Sequence, residues 1–217
     1  MAMRWAGVIL AGGEARRMGG GDKPLLRVGG QSLLGHVLDR LGGHGRPLAI
    51  NARGDAARFG SFGLPVLPDG PLGAGPLAGV LAAMDWAAGL GCDAVLTVPG
   101  DTPFIPRDLP VALAPGPAVA MSGGRRHHLV ALWPVAARTA LRARLAATGP
   151  DAPRAAFGVR AFAETIGMRD VAFADLPVDP FFNVNSPADL VEAARLAALA
   201  GEDAPTRIGQ RPGCPSP

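Results

Sequence analysis

Tyrosine is absent from the 217 residues, and lysine nearly so: of 21 lysine and arginine residues, Lys23 alone is lysine. Asparagine is confined to Asn51, Asn183 and Asn185. With abundant Ala, Gly and Pro, this points to a coding bias against Lys, Asn and Tyr, so residues that persist against it are candidates for work their usual substitutes cannot do. Cysteine is scarce too. Cys92 and Cys214 lie far apart without metal-ligand spacing, which excludes a disulfide framework and leaves two free thiols expected in a reduced cytoplasm. Nor does any apolar run approach the roughly 20 residues needed to span a bilayer. Residues 5–12 are apolar but brief and lack a small-residue cleavage site, so no signal peptide is expected. The formal net charge is only +3, without a basic stripe interleaved with aromatics, which argues against nucleic acid as partner. The four histidines show no zinc spacing, and no Ser-His-Asp or Cys-His arrangement is readable.

What remains is a chain with 48% apolar residues, long enough for one substantial core and short for two. Short apolar runs at Ala6–Leu10, Pro47–Ala52, Ala94–Val98, Ala118–Met121, His128–Trp133 and Val171–Phe173 predict strands. Between them, helical periodicity marks Ser32–Leu41, Pro76–Gly89 and Val135–Ala147, with Pro76 suited to a first helical position. Ser186-Pro187-Ala188-Asp189 carries the signature of a helix start. Alternating strands and helices predict an α/β chain, a three-layer α/β/α sandwich around a mostly parallel, Rossmann-like sheet. Ligands in such folds sit beyond the carboxyl ends of the strands, which brings together the loops after Leu10, Ile50 and Val98. One domain is expected over residues 1–200, and the aperiodic, Pro- and Gly-rich residues 201–217 are expected to form a disordered tail. Trp5, Trp86 and Trp133 read as packing residues.

Three segments can carry chemistry. Leu10-Ala11-Gly12-Gly13 continues through Arg16-Arg17-Met18-Gly19 to Asp22-Lys23. Glycines let main-chain N–H groups approach an anion closely, and Arg16, Arg17 and Lys23 add full charges to that field. The spacing is that of neither a Walker A loop nor a dinucleotide fingerprint. Second, Asp101 in Pro99-Gly100-Asp101-Thr102-Pro103 follows a buried strand, where a carboxylate suits magnesium held jointly with substrate phosphates. Third, Asn183 and Asn185 alternate along an extended stretch and so project to one side. Asn51 ends a strand at the same sheet edge.

Taken together and in order, Leu10–Gly13, Arg17–Gly19, Asp22-Lys23, Asn51, Asp69, Gly75–Gly79, Asp101–Pro103 and Asn183–Pro187 resemble the molybdenum cofactor guanylyltransferase family, MobA, over roughly residues 6–195. The match absorbs the single lysine and all three asparagines. Gly100 departs from the pattern, since the family usually has cysteine there. The resemblance implies a nucleotidyltransferase that takes GTP and molybdopterin or molybdenum cofactor as substrates and Mg2+ as cofactor. GTP would be held by Leu10, Ala11, Gly12, Gly13, Lys23, Asn51, Asp69 and Asp101, with Asp101 on the metal and Asn183 or Asn185 as its second ligand. Asp101, Lys23 and Arg17 would supply catalysis, His128 would contact the pterin phosphate, and Asn183 and Asn185 would help bind the substrates or the metal. Arg125, Arg126 and His127 read as solvated loop charges. Molybdoenzymes or their chaperones would be partners. A cytidylyl- or sugar-phosphate nucleotidyltransferase of the same fold, or a non-catalytic cofactor-delivery protein, are the rival readings. The Gly12-Gly13 pair favours guanine over the Leu-Ala-Ala-Gly of the related cytidylyltransferase.

Overall fold

The run Trp-Ala-Gly-Val-Ile-Leu has no polar side chain to turn towards water, and it forms β1 (Trp5–Leu10), buried on both faces near the middle of a sheet. The computed structural model describes residues 3–12, 22–70, 75–147, 158–175 and 177–199. After β1 come the short hairpin β2 (Arg27–Val28) and β3 (Gln31–Ser32), then α1 (Leu33–Gly42) and β4 (Leu48–Asn51). A 3-10 segment, Ala56–Phe62, leads to β5 (Val66–Leu67). Next are α2 (Pro76–Gly89), β6 (Ala94–Pro99), α3 (Leu109–Leu113), β7 (Ala118–Ser122) and β8 (Arg125–Pro134). The order closes with α4 (Arg138–Ala147), α5 (Val159–Thr165), β9 (Arg169–Ala172) and α6 (Pro187–Leu199).

Seven strands form one sheet in the order β5-β4-β1-β6-β8-β7-β9. The pairs β5/β4, β4/β1, β1/β6 and β7/β9 are parallel, whereas β8 runs antiparallel to both neighbours. The predicted mostly parallel sheet is therefore present, with one reversed strand. One face packs Ile9, Ile50, Leu96, Val98 and Leu132 against Leu34, Val37 and Leu41 of α1 and Leu109 and Leu113 of α3. The other packs Val8, Ala49, Val95 and Trp133 against Leu77, Val80 and Met84 of α2, Leu141 of α4 and Phe162 of α5. A third cluster fastens α6 through Ala193, Leu196 and Ala197 to Val28, Phe104 and Val184.

Register is what makes a site of this sheet. Leu10 lies level with Asn51 on one side and Pro99 on the other, and Asn51 lies level with Leu67. The residues that follow, Gly12, Arg53, Asp69 and Asp101, leave the sheet at a common edge. From β6 to β5 is three strand spacings, about 14 Å. Gly75 opens α2 at φ 115, where an L side chain would be strained.

The helix and strand expectations stand apart from their ends. The segment Val135–Ala147 divides into a 3-10 turn at Val135–Ala137 and α4, and the late strand is Arg169–Ala172. Two-residue strands such as β5, and helices as short as α3 and α5, offer too few residues for a period to emerge. The expected tail lies outside the described residues. No helix among the described residues is long and apolar enough to cross a membrane.

Thr97 in β6 pairs two polar groups buried in this core. Trp133 Nε1 donates to Thr97 Oγ1 at 2.8 Å, and the Thr97 hydroxyl donates to Leu129 O at 2.8 Å. Thr97→Val preserves shape but strands both partners, so chemical denaturation is expected to show a loss of about 1–3 kcal/mol. A variant as stable as the parent chain would contradict this pairing.

Candidate functional site

The carboxyl edge of the sheet opens into a pocket lined by Leu10, Gly12, Lys23, Pro24, Asn51, Arg53, Asp69, Gly75, Pro76, Gly79, Pro99, Asp101 and Leu129. Six residues expected at the site (Leu10, Gly12, Lys23, Asn51, Asp69 and Asp101) thus share one cavity, although the chain separates them widely.

At one end stands Lys23, 8% exposed, in a short 3-10 turn that opens with Asp22 and Pro24. Its ammonium donates to Asp101 Oδ2 and, at 2.6 Å, to Asn185 Oδ1. A compact ammonium with three rotatable donors can reach both acceptors where a planar guanidinium would not fit the same geometry. Asp101 leaves β6 beyond Gly100, whose N–H bonds Leu10 O at 3.0 Å and so ties the two loop starts together. The second carboxylate oxygen, Asp101 Oδ1, is buried with no hydrogen-bond partner among the described residues, and so is Asn183 Oδ1. Both belong to adjoining segments, because Val184 N donates to Asp101 O at 3.0 Å. An unpartnered carboxylate oxygen and an unpartnered amide oxygen are the donor types a hard divalent cation takes. No cluster of three or more His, Cys, Asp or Glu occurs among the described residues, so such an ion would complete its shell from substrate oxygens and water.

At the other end Asn51, 3% exposed, donates through Nδ2 to Leu67 O at 3.1 Å and Asp69 Oδ1 at 3.0 Å. Arg53 Nε donates to Asp69 Oδ2. Asp69 is therefore fixed by two donors, and Arg53, more exposed, keeps its remaining N–H groups at the pocket rim. Arg53 was not foreseen; its only sequence signal is a position two residues past the strand-ending Asn51.

Other expected residues fall elsewhere. Ala11 is 2% exposed and spends its N–H on Asn51 O at 2.8 Å, so it supports the edge and does not line the pocket. Asn185 bonds the pocket residue Lys23, and Asn183 precedes Val184, which bonds Asp101, but neither asparagine lines the pocket itself. Gly13, Arg16 and Arg17 lie outside the described residues. His128 is a correction: it lines a separate cavity with Val119, Arg126, Ala163, Glu164 and Met168. The cause is a break in register, since Val119 pairs with Ala131 while Ala120 pairs with His127. Residues 128–130 form that bulge, and Leu129, not His128, reaches the main pocket. Burial pushes the His128 imidazole below its usual value, and the Arg126 and Arg160 charges add to this against Glu164 and Asp170. The basic residues expected on a loop instead begin β8, where Arg126 pairs with Asp170 at 2.8 Å.

The MobA-like NTP transferase domain family matches residues 7–162. A molybdenum cofactor guanylyltransferase of Acidiphilium cryptum is 54% identical over 191 residues, covering 87% of this chain and 94% of that protein. One of Mesorhizobium japonicum is 50% identical over 203 residues, covering 88% and 95%. Among solved structures, molybdopterin-guanine dinucleotide biosynthesis protein A of Archaeoglobus fulgidus superposes with a TM-score of 0.69 at 20% identity, covering 90% of this chain and 99% of that one, a likeness of fold.

A Cβ at Gly79 would overlap Asn51 Oδ1, whereas one at Gly100 would meet only the side chains of Pro24 and Ile9, at 3.3 and 3.4 Å. Gly79→Ala gains about 1 kcal/mol of helix propensity and loses a similar amount in Asn51 hydrogen bonds. Stability should therefore change little while the Asn51 amide is displaced from Asp69. With asparagine at only three positions, the Asn51 side-chain NH2 resonances are easily followed by NMR. They are expected to move in Gly79→Ala and stay in place in Gly100→Ala; unmoved resonances in the first would contradict the contact.

Proposed function

The chain belongs to the MobA-like NTP transferase family, and from that membership we propose that it transfers GMP from GTP to the terminal phosphate of molybdopterin or molybdenum cofactor. Pyrophosphate leaves, and the guanine dinucleotide form of the cofactor is made. The observation that carries this reading is the Lys23–Asp101–Asn185 cluster facing the Asn51–Asp69–Arg53 cluster along one pocket.

The base belongs at the Asp69 end. Guanine offers N1–H and an exocyclic amine as adjacent donors and O6 as an acceptor, while cytosine presents the reverse order of amine and acceptors. A fixed carboxylate beside guanidinium N–H groups complements guanine on both counts. The triphosphate then runs about 14 Å across the strand ends to Lys23 and Asp101. Magnesium fits there: Asp101 Oδ1 and Asn183 Oδ1 would hold it, and when bound it supplies charge neutralisation on the phosphates. Lys23 orients Asp101 through its other oxygen and offsets charge on the leaving pyrophosphate. In the transfer, an oxygen of the acceptor phosphate bonds the α-phosphorus as the bond from that phosphorus to the bridging oxygen of the β-phosphate breaks. The attacking phosphate is already ionised near neutral pH, so no general base is required, and none of the four histidines lines the pocket. The protein's contribution is positioning and electrostatics. The reaction would take place in the cytoplasm, with molybdoenzymes or their chaperones receiving the product.

Pyrophosphate release measured with each nucleoside triphosphate, with and without molybdopterin, tests the reading. GTP with molybdopterin should be the productive pair; preference for CTP, or cofactor binding without pyrophosphate, would overturn it. Asp101→Asn is expected to lower turnover at least about a hundredfold by removing the anionic oxygen. Near-normal magnesium-dependent transfer would remove Asp101 from that role. Lys23→Ala should weaken GTP binding about tenfold or more, read by equilibrium titration, since one charge-assisted contact to phosphate is lost. Unchanged affinity would detach Lys23 from the triphosphate.

A further inference from the structure

Asn183 and Asn185 lie on irregular backbone between β9 and α6, so no sheet ladder or helix fixes them. Their segment is instead held at three points. Downstream, Asp189 Oδ2 accepts from Asn185 N at 2.8 Å and Ser186 N at 2.9 Å, while Ser186 Oγ accepts from Asp189 N at 3.2 Å. This is a reciprocal cap on α6, and the Asn185 amide foremost holds the Asp189 carboxyl below its usual value. In the middle, fully buried Val184 is pinned by its N–H to Asp101 O.

The upstream point is unconnected with the pocket. Asp179 Oδ1 accepts the Ser122 hydroxyl at 2.7 Å and the Phe181 N–H at 3.0 Å, and Asp179 O accepts Phe182 N at 3.1 Å. Ser122 is the last residue of β7, 4% exposed, beside the hairpin turn Gly123-Gly124, whose φ values of 51 and 71 suit the twist of the flanking strands. Because the Ser122 proton goes to Asp179, its oxygen accepts from His127 Nε2–H, at 2.8 Å. The His127 ring lies 4.7 Å from the ring of Phe181, which is itself 1% exposed. Burial lowers the His127 pKa, helped by Arg125 and His128 and opposed by Asp179, and Nε2–H remains a donor in either state. A charged group of the loop, a hydroxyl on the sheet and an imidazole of the next strand thus make one chain of bonds from β8 through β7 to residues 179–182.

We propose that Ser122 and Asp179 are positioning residues: their hydrogen bond straps residues 179–185 to the end of β7 and sets where Asn183 and Asn185 meet Asp101 and Lys23. Neither residue lines the pocket that holds Lys23 and Asp101. The effect on turnover rests on the guanylyl-transfer reading; the strap itself does not.

Ser122→Ala and Asp179→Ala remove the bond, whereas Asp179→Asn retains the carbonyl acceptor and loses only charge. Amide hydrogen exchange, pyrophosphate release and GTP titration should be measured on all three full-length variants. The strap predicts about tenfold faster exchange across residues 179–185 in both alanine variants, with β1 and α2 unchanged. It predicts kcat about tenfold lower, GTP affinity within twofold of the parent, and recovery of most of both losses in Asp179→Asn. Parent-like exchange in the alanine variants would overturn the strap. So would an Asp179→Asn as damaged as Asp179→Ala, or equal losses of GTP affinity and kcat, which mark general unfolding. If the parent chain itself transfers no GMP, the functional reading fails and the exchange result alone decides the strap.

Discussion

The ammonium of Lys23 holds the site together, joining Asp101, 78 residues away, to Asn185, 162 residues away. A lysine this buried is costly unless its donors are used, and here a carboxylate and an amide oxygen use them. The bond spans three elements: the turn after β1, the end of β6 and the approach to α6. Buried ion pairs add little net stability but are strict about geometry, which is what a site that works by placement requires. It also explains why a chain that otherwise chooses arginine keeps one lysine.

Around that hub, the sheet does the sorting. Level carboxyl ends in β5, β4, β1 and β6 set out four loop starts at regular spacing, and each contributes one kind of chemistry. The β5 and β4 loops carry a carboxylate, an amide and a guanidinium suited to a base edge. The β1 and β6 loops carry the cation and carboxylate suited to phosphates and a metal. Reversal at β8 ends the parallel series, and the next hairpin serves the far wall, through Leu129 in the pocket and Ser122 beneath the asparagine segment.

Much of this was legible in the sequence because it depends on local signals. Apolar runs located the central strands, Pro76 opened α2 at the expected residue, and Ser186 with Asp189 formed the expected cap. Composition made the single lysine and three asparagines conspicuous, and the fold brings Lys23 and Asn51 into one pocket with Asn185 bonded to Lys23. What escaped depends on tertiary registration. The three-residue bulge in β8 turned His128 into a cavity against α5, and no periodicity announces a bulge. His127, taken for a solvated charge, is half-buried because Phe181 returns from fifty-odd residues away to cover it. Arg53 and Asp179 are ordinary surface residue types whose partners could only be found in three dimensions.

The central claim is that base and metal occupy opposite ends of one pocket. The direct measurement is anomalous diffraction from crystals holding a non-hydrolysable GTP analogue and Mn2+ in place of magnesium. The account predicts a manganese peak about 2.1 Å from Asp101 Oδ1 with the guanine edge against Asp69. A peak away from Asp101, or a base turned away from the Asn51–Asp69 end, would contradict it.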